Sequence, residues 1–99
     1  MRSNMTVFAI AQARVIDRAQ LNNYVAAASP TLQAHGARVI AFDESPEVIE
    51  GATDKPRTVI VEFESAEAFH KWYESPEYQA AKTLREGASV GDFILVTGL

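Results

Sequence analysis

The stretch that decides the fold is Trp72-Tyr73-Glu74-Ser75-Pro76-Glu77-Tyr78. Its two leading aromatic residues end one helical pattern, and Ser75-Pro76-Glu77 begins another, because serine is a favoured N-cap and proline suits the first helical position. A third aromatic residue, Tyr78, lies in the first turn of the second helix. The stretch therefore predicts two consecutive helices with a short break between them, the first with an aromatic buried face.

Upstream of this stretch, the chain predicts a strand and a long helix. Thr6–Ala13 is a mostly apolar, extended run, and Asp17 offers an N-cap for the helical pattern that follows. The apolar residues of that pattern recur on one face, which is typical of an amphipathic helix. Pro30 predicts a kink inside the helix, and Gly36 supplies its C-terminal stop.

Further strands and a second helical region complete the predicted order. Ala37–Phe42 alternates around β-branched and aromatic residues, Glu47–Gly51 predicts a short edge strand, and Arg57–Phe63 is the clearest strand in the chain. Ser65 caps the second helical region, and Asp92–Val96 predicts the last strand. The order β-α-β-β-α-β is that of a ferredoxin-like module. This is an α+β fold in which two helices cover one face of a four-stranded antiparallel sheet.

Length and charge exclude several classes of protein. The 99 residues suit a single domain, 1–99, with one modest core. A net charge of −4 argues against a nucleic-acid partner, since binding to a phosphate backbone needs an excess of cations. With no cysteine, the chain has no disulfide and no thiolate zinc site. No apolar run approaches the ~20 residues that span a membrane, so we expect a cytoplasmic protein.

The predicted strands are apolar on both faces. Neighbouring side chains of a strand point to opposite faces, yet Ile60 is followed by Val61, and Ile94 by Leu95. In a sheet with helices on one face only, the second face would meet water and should be polar. A large exposed apolar patch is uncommon in a monomer, so we expect a second copy of the chain to cover this face.

Two motifs in the second half of the chain are specific. They are Val61-Glu62-Phe63-x-Ser65 and Trp72-Tyr73-x-Ser75-Pro76-Glu77-Tyr78-Gln79, followed by Arg85, with weaker echoes in His35-Gly36-x-Arg38 and Val48-Ile49-Glu50-Gly51. From about Tyr24 to the C-terminus, the chain resembles the domain-of-unknown-function 1330 family. Relatives tend to carry paired glycines where this chain has Gly36-Ala37 and Phe42-Asp43-Glu44, a departure that concerns loop geometry and not the fold.

The resemblance implies a βαββαβ fold and a homodimer of the dimeric α/β-barrel type, in which two sheets face each other. Both implications agree with the predicted strand order and with the apolar second face. The family has no established activity. The wider dimeric α/β-barrel class includes cofactor-free monooxygenases, lactone isomerases and heme enzymes, so the fold permits catalysis without supporting any one reaction.

Three aromatic residues and two arginines form the candidate ligand site. We predict a pocket bounded by Trp72, Tyr73 and Tyr78, with Arg38 or Arg85 supplying its positive charge and a small anionic or enolic aromatic compound as its ligand. Two alternatives stay open at this point. Aromatic residues at helical spacing also form cores, and Tyr78 and Arg85, two turns apart on one helical stripe, can bond to each other or line a dimer seam.

Arg38 and Glu62 are charged positions in otherwise apolar strands. An unpaired charge would be costly there, so each residue needs a partner. If both face the same surface of the sheet, they can pair with each other, with Asp92 or with a ligand. An anion bound by Arg38 is the functional alternative, and a buried structural ion pair is the other.

We predict neither a cofactor nor a metal. His35 and His70 have no carboxylate at ligand spacing, and the scattered glycines form no phosphate-binding loop.

Two classes of function remain for this chain. The first is a binding or accessory module for a small apolar or anionic molecule. The second is a cofactor-independent enzyme, similar to a monooxygenase or an isomerase, in which Tyr78, His35 or Glu62 moves a proton on a ring or enol substrate. No catalytic residue is assigned.

Overall fold

A computed structural model of the protein describes residues 5–99. Along the chain, its elements are β1 (Val7–Val15), α1 (Arg18–Ala34), β2 (Arg38–Asp43), β3 (Arg57–Phe63), α2 (Ala66–Tyr73), α3 (Pro76–Lys82), a 3₁₀ turn (Thr83–Arg85) and β4 (Ser89–Thr97). The four strands form one antiparallel sheet in the order β2-β3-β1-β4. The predicted α+β, ferredoxin-like fold is confirmed.

The register of the sheet places one set of side chains beneath the helices. Ala9 of β1 lies opposite Val61 of β3 and Leu95 of β4, and the first two are buried. Because side chains alternate along a strand, Val7 and Phe63 share this face, and both are buried as well. The core therefore lies between this face of the sheet and the helices that pack on it.

β1 and β4 are longer than the sequence predicts. β1 continues to Val15 and β4 begins at Ser89, because these two residues pair at the end of the ladder. The backbone amides of Ile16 and Asp17 then both donate to the carbonyl of Ala88, at 2.8 and 3.0 Å. Pairing between distant segments gives no signal in the sequence of either segment alone. The predicted lengths of β1 and β4 were therefore too short.

The predicted edge strand at Glu47–Gly51 is wrong, because this segment is part of a loop. Asp43 Oδ1 accepts a hydrogen bond of 2.8 Å from the backbone amide of Ser45, which closes an Asx turn at the end of β2. Pro46 follows, and proline cannot donate to a strand ladder. The chain therefore leaves the edge of the sheet before residue 47.

The predicted helix boundaries agree with the observed caps. Asp17 Oδ1 accepts from the backbone amide three residues further on at 3.1 Å. α1 continues through Pro30 and is followed by Gly36, whose φ of 70° suits glycine. Ser65 and Ser75 cap α2 and α3 in the same way as Asp17 caps α1. The break between α2 and α3 therefore falls where the sequence predicts it.

An aromatic cluster fills the core between α2, α3 and the sheet. Phe63, Phe69, Trp72 and Tyr78 are all buried. The ring centroids of Trp72 and Tyr78 are 4.1 Å apart, and Phe63 meets Phe69 edge to face at 5.3 Å. Aromatic pairs in such geometries stabilise a core beyond the area they bury. The motif around Trp72 is therefore part of the scaffold.

The sheet face opposite the helices is also apolar. Ile10 of β1 lies opposite Ile60 of β3 and Ile94 of β4, and Phe8 lies opposite Val96. These residues define what we call the open face. Among residues 5–99, none of these side chains belongs to the core cluster beneath the helices, and Ile94 is 55% exposed. A face of this composition favours burial against a partner.

Candidate functional site

A cavity of about 560 Å³ lies between α1 and the helix-facing side of the sheet. We call it the α1 cavity. Its lining is mostly apolar and comes from one face of α1 and from the central strands, including Leu21, Ala28, Leu32, Val59, Val61 and Phe63. Most of the lining therefore comes from core elements, while the cavity is partly open and Glu86 of the turn before β4 and Asp92 of β4 also line it.

The α1 cavity exists because the sheet carries small side chains beneath the helix. Ala11 and Ala13 of β1 line it, and Gly91 of β4 lies opposite Ala13 in the register. A Cβ atom at Gly91 would collide with the backbone carbonyl of Gln12, so this position accepts only glycine without rearrangement. Larger side chains such as Phe63 limit the cavity further along the sheet.

Arg57 brings a positive charge to the cavity. It lines the cavity, its side chain is 13% exposed, and its guanidinium lies 5.0 Å from the ring centroid of Phe42. Arg57 Nε donates to Glu44 Oε2 at 3.2 Å, and Arg18 Nη1 donates to the same oxygen at 2.7 Å. The hydrogen bond from Arg18 is the main cause of the lowered pKa of Glu44. Two cations therefore share one ionised carboxylate.

A hydrogen-bond chain of Arg85, Tyr78 and Tyr24 forms a second polar part of the site. Arg85 Nη1 donates to Tyr78 Oη at 3.2 Å, and the hydroxyl oxygens of Tyr78 and Tyr24 are 2.8 Å apart. Tyr78 is completely buried, whereas Tyr24 and Arg85 line the cavity. Within residues 5–99, no carboxylate lies at ion-pair distance from Arg85. The tips of Tyr78 and Arg85 thus converge, as their helical spacing predicts.

The surroundings of Tyr78 keep its phenol protonated. Burial is the main cause of its raised pKa, and the neighbouring Tyr24 acts in the same direction. The positive charge of Arg85 opposes these effects without cancelling them. At neutral pH, the Tyr78 hydroxyl therefore acts as a hydrogen-bond donor and not as a base.

The structure separates the three aromatic residues that were predicted to bound one pocket. Trp72 lines the α1 cavity. Tyr73 lines a second, more open depression of about 450 Å³, together with Arg85 and Ile94. Tyr78 lines neither space, because it lies fully inside the core. Within residues 5–99, the three rings therefore pack on one another and do not bound a common pocket.

Arg38 and Glu62 lie on the open face, away from the α1 cavity. They are opposite each other in the register of β2 and β3, and Arg38 Nη2 lies 2.7 Å from Glu62 Oε1. The Arg38 side chain is 73% exposed, and neither residue lines the cavity. Asp92 pairs instead with Lys55, at 3.2 Å. Of the alternatives for Arg38 and Glu62, the structure shows the ion pair between them, exposed and not buried, and Arg85, the alternative source of charge, lines the cavity.

Tyr24 and Arg57 line the cavity although they were not predicted as site residues. Tyr24 belongs to the apolar arc of α1, where a tyrosine commonly places its hydroxyl at the edge of a core. Arg57 shares its face of β3 with Val61 and Phe63 by the two-residue period of a strand. That period was the available signal, because it puts the charge of Arg57 on the side that the helices cover.

Neither histidine lines the α1 cavity. A ring nitrogen of His35 lies 3.0 Å from the carbonyl oxygen of Thr31, and His70 is an exposed residue of α2 beside Glu74. In the described part of the chain, no three His, Cys, Asp or Glu side chains are grouped as metal ligands. Over the same 95 positions, 5–99, none of the helices has both the length and the apolar character that crossing a membrane requires.

Solved structures share the fold of this chain. A protein of unknown function from Rhodopseudomonas palustris is 18% identical, with a TM-score of 0.81 over 97% of this chain and 84% of that one. SnoaB, a cofactor-independent oxygenase from Streptomyces nogalater, is 16% identical, with a TM-score of 0.67 over 96% and 94%. A dimeric, ferredoxin-like protein of unknown function from Bacteroides fragilis is 13% identical, with a TM-score of 0.64 over 94% and 96%. At these identities, the likeness shows the fold alone.

The comparison with sequence families agrees with the motifs around Trp72 and Ser75. A comparison with curated proteins gives no match. The family model described as Domain of unknown function (DUF1330), in contrast, matches residues 6–99, which is almost the whole chain. The resemblance inferred from the sequence is therefore confirmed, and the chain belongs to the DUF1330 family.

Proposed function

We propose that the protein binds a small, mainly apolar molecule with an anionic group, and that the α1 cavity is its site. This proposal is based mainly on Arg85. Its side chain lines a mostly apolar cavity, and no carboxylate lies at ion-pair distance from it among residues 5–99. A guanidinium in such surroundings favours an anion nearby, whether it acts on the anion directly or through the hydroxyl groups that it bonds. A binding or accessory role follows.

The size and lining of the cavity support such a ligand. Ligand pockets commonly enclose about 300–1,000 Å³, and the α1 cavity, with about 560 Å³, lies within that range. Apolar walls such as Leu32 and Val59 would bury a ring or a short chain. Arg57 uses only its Nε toward Glu44 within residues 5–99, so its terminal nitrogens remain for an anion. Arg57 would then bind the anionic group, while the positive charge of Arg85 reaches the ligand through the hydroxyls of Tyr78 and Tyr24.

A cofactor-independent enzyme is the second candidate. The fold is shared with SnoaB, which is a cofactor-independent oxygenase, and the chain of Arg85, Tyr78 and Tyr24 offers hydrogen-bond donors to an enolic oxygen. The predicted proton-transfer residues fit less well. The raised pKa of Tyr78 makes its phenolate scarce, and neither His35 nor Glu62 lines the cavity. We therefore favour binding over turnover.

We also propose that the protein is a homodimer formed through its open face. Ile10, Ile60 and Ile94 lie side by side across three strands of this face. A second copy presents the same residues, so that the face is self-complementary under two-fold symmetry. The structurally similar protein from Bacteroides fragilis is described as dimeric. Dimerisation would also enclose the ion pair of Arg38 and Glu62.

Binding of anilinonaphthalenesulfonate, an apolar anion that fluoresces in apolar surroundings, tests the proposed site. Arg57→Gln should weaken its binding by about ten-fold, because a hydrogen bond between two charged groups is lost. Lys71→Gln is the control. It removes one positive charge from an exposed position of α2 outside the cavity and should change the affinity by less than about two-fold.

Filling the cavity provides an independent test. Ala13→Leu places a larger side chain next to Gly91 inside the cavity and should abolish dye binding. Ala26→Leu, at an exposed position of α1 outside the cavity, should leave it intact. Circular dichroism checks that both variants fold. If the Ala13→Leu protein binds the dye as tightly as the unmodified protein, the α1 cavity is not the site.

A further inference from the structure

The hydroxyl hydrogens of Tyr78 and Tyr24 have one consistent arrangement beside Arg85. Arg85 donates hydrogen bonds and cannot accept them, so the Tyr78 oxygen is the acceptor of the 3.2 Å bond. Tyr78 is completely buried, and within residues 5–99 its hydroxyl has only Arg85 and Tyr24 as partners. Leaving a buried donor unpaired is costly. The Tyr78 hydroxyl therefore donates to the Tyr24 oxygen, 2.8 Å away.

This arrangement leaves the hydroxyl hydrogen of Tyr24 without a protein acceptor. Tyr24 receives the hydrogen bond from Tyr78, so its own O–H must be directed elsewhere. Among residues 5–99, this hydroxyl has no other hydrogen-bond partner. Tyr24 is half-buried and lines the α1 cavity. Its O–H is therefore a donor that the cavity can present to a ligand.

The charge of Arg85 polarises the hydrogen-bond chain that runs from Arg85 through Tyr78 to Tyr24. The positive charge of Arg85 lies at the oxygen of Tyr78, which makes the Tyr78 hydroxyl a stronger donor to Tyr24, and Tyr24 in turn a stronger donor to a ligand. Burial keeps the Tyr78 phenol neutral by raising its pKa, so the chain keeps its hydrogen at neutral pH. A donor of this kind gains most from an acceptor that carries negative charge.

We infer that Tyr24 determines the ligand specificity of the α1 cavity and selects molecules with an anionic oxygen conjugated to a ring, that is, a phenolate or an enolate. This inference rests on the proposed function. The apolar walls take the ring, as the lining by Trp72 and Val59 permits. A carboxylate has two oxygens and suits the paired donors of Arg57, whereas a single ring oxygen suits the single donor of Tyr24.

Two probes that differ by one hydroxyl group test the inference. The first is a naphthol with a nitro group para to its hydroxyl, whose phenolate absorbs visible light. The second is nitronaphthalene, which lacks the hydroxyl. The unmodified protein should bind the phenolate more tightly than nitronaphthalene, and the pKa of the bound naphthol, read from its absorbance across pH, should be lower than that of the free naphthol.

The variant Tyr24→Phe isolates the donor. It should weaken phenolate binding by about ten-fold and remove most of the pKa change of the bound naphthol, because a hydrogen bond to a charged oxygen is lost. Nitronaphthalene should bind to this variant within about two-fold of its original affinity, because the apolar walls are unchanged. Thermal unfolding checks that the variant folds.

Two further variants distinguish the chain from a direct contact between Arg85 and the ligand. Tyr78→Phe keeps the ring and removes the hydroxyl that connects Arg85 with Tyr24. It should therefore raise the pKa of the bound naphthol without changing nitronaphthalene binding. Arg85→Gln removes the charge. If Arg85 acts through Tyr24, the double variant Tyr24→Phe/Arg85→Gln should lose no more phenolate affinity than the weaker-binding single variant.

The outcomes distinguish this inference from the proposed function. If neither probe binds the unmodified protein, the inference is wrong; if anilinonaphthalenesulfonate does not bind either, the proposed function is wrong as well. If both probes bind and Tyr24→Phe changes neither the phenolate affinity nor the pKa of the bound naphthol, the cavity is a binding site that Tyr24 does not control. Full additivity of Tyr24→Phe and Arg85→Gln would show that Arg85 contacts the ligand itself, which overturns the polarised chain.

Discussion

Trp72 Nε1 donates a hydrogen bond of 2.9 Å to Thr31 Oγ1, and this bond joins α2 to the part of α1 that follows Pro30. Thr31 is only 8% exposed, and its own hydroxyl donates to the carbonyl oxygen of Ala28 at 2.6 Å. The indole N–H of Trp72 therefore has a buried acceptor, the Thr31 oxygen, because the hydroxyl hydrogen of Thr31 already bonds to Ala28. One hydroxyl thus fixes the position of a core tryptophan against α1.

Thr31→Val should lower the free energy of unfolding by about 1–3 kcal/mol, because valine keeps the shape of the side chain and leaves the buried Trp72 N–H without an acceptor. Urea unfolding followed by tryptophan fluorescence measures the change. Ser29→Ala is the control, since the Ser29 hydroxyl bonds to the carbonyl of Val25 at an exposed position. Equal effects of the two substitutions would contradict a special role for the buried bond.

Ser75→Ala should cost about 1 kcal/mol of stability, because α3 loses its N-cap. Ser75 Oγ accepts from the backbone amide of Tyr78 at 3.2 Å and donates to the carbonyl of Trp72 at 2.7 Å. Ser65→Ala removes a cap of similar geometry from α2, where the serine is less buried, and should cost less. Thermal unfolding compares the two. An unchanged midpoint in Ser75→Ala would mean that the motif serves binding and not local structure.

Ile94→Asp should convert the proposed dimer into a monomer or unfold it, because it places a charge in an apolar interface. Light scattering at micromolar concentration should give about twice the chain mass of 10.8 kDa for the unmodified protein and about one chain mass for a folded variant. Ile49→Asp changes an isoleucine that is 78% exposed in a loop and should leave the dimer intact. A well-folded monomer of the unmodified protein would contradict the argument from the open face.

The stability of the protein should fall in alkaline solution through Tyr78. Burial raises the pKa of this phenol above its ordinary value of 10.0, so the folded state favours the neutral form. This contribution is fully present below pH 10 and is lost as the pH rises from 10 toward the pKa of the folded state. Urea unfolding at increasing pH should show a steeper loss for the unmodified protein than for Tyr78→Phe. Parallel curves would contradict the assignment.

The fold was largely predictable because its signals are local. The caps Asp17, Ser65 and Ser75 and the strand Arg57–Phe63 each depend on a few adjacent residues, and all appear where the sequence places them. The full length of β4, which begins at Ser89, depends on pairing with a distant strand. Such pairing has no local signal, so it could not be predicted from the segment itself.

The candidate site was less predictable, because it is formed by residues whose signals are weak. The site was predicted at the large aromatic side chains around Trp72, yet most of these side chains form the core. The α1 cavity results instead from the small volume of Ala13 and Gly91, which leaves little trace in a pattern of apolar residues. The meeting of Tyr24 with Arg85 joins two distant elements, and a single sequence does not show which distant residues meet.

Substitution is restricted at Gly91, on the sheet side of the cavity, and is less restricted on the helix side. On the sheet, β1 and β4 approach so closely at Gly91 that any added side chain would displace the backbone of Gln12. On the helix, Val25 and Ser29 line the same cavity from exposed positions, where substitution typically costs little stability. Replacing residues of α1 can therefore change the ligand preference, while Gly91 preserves the close approach of β1 and β4 beneath the helix.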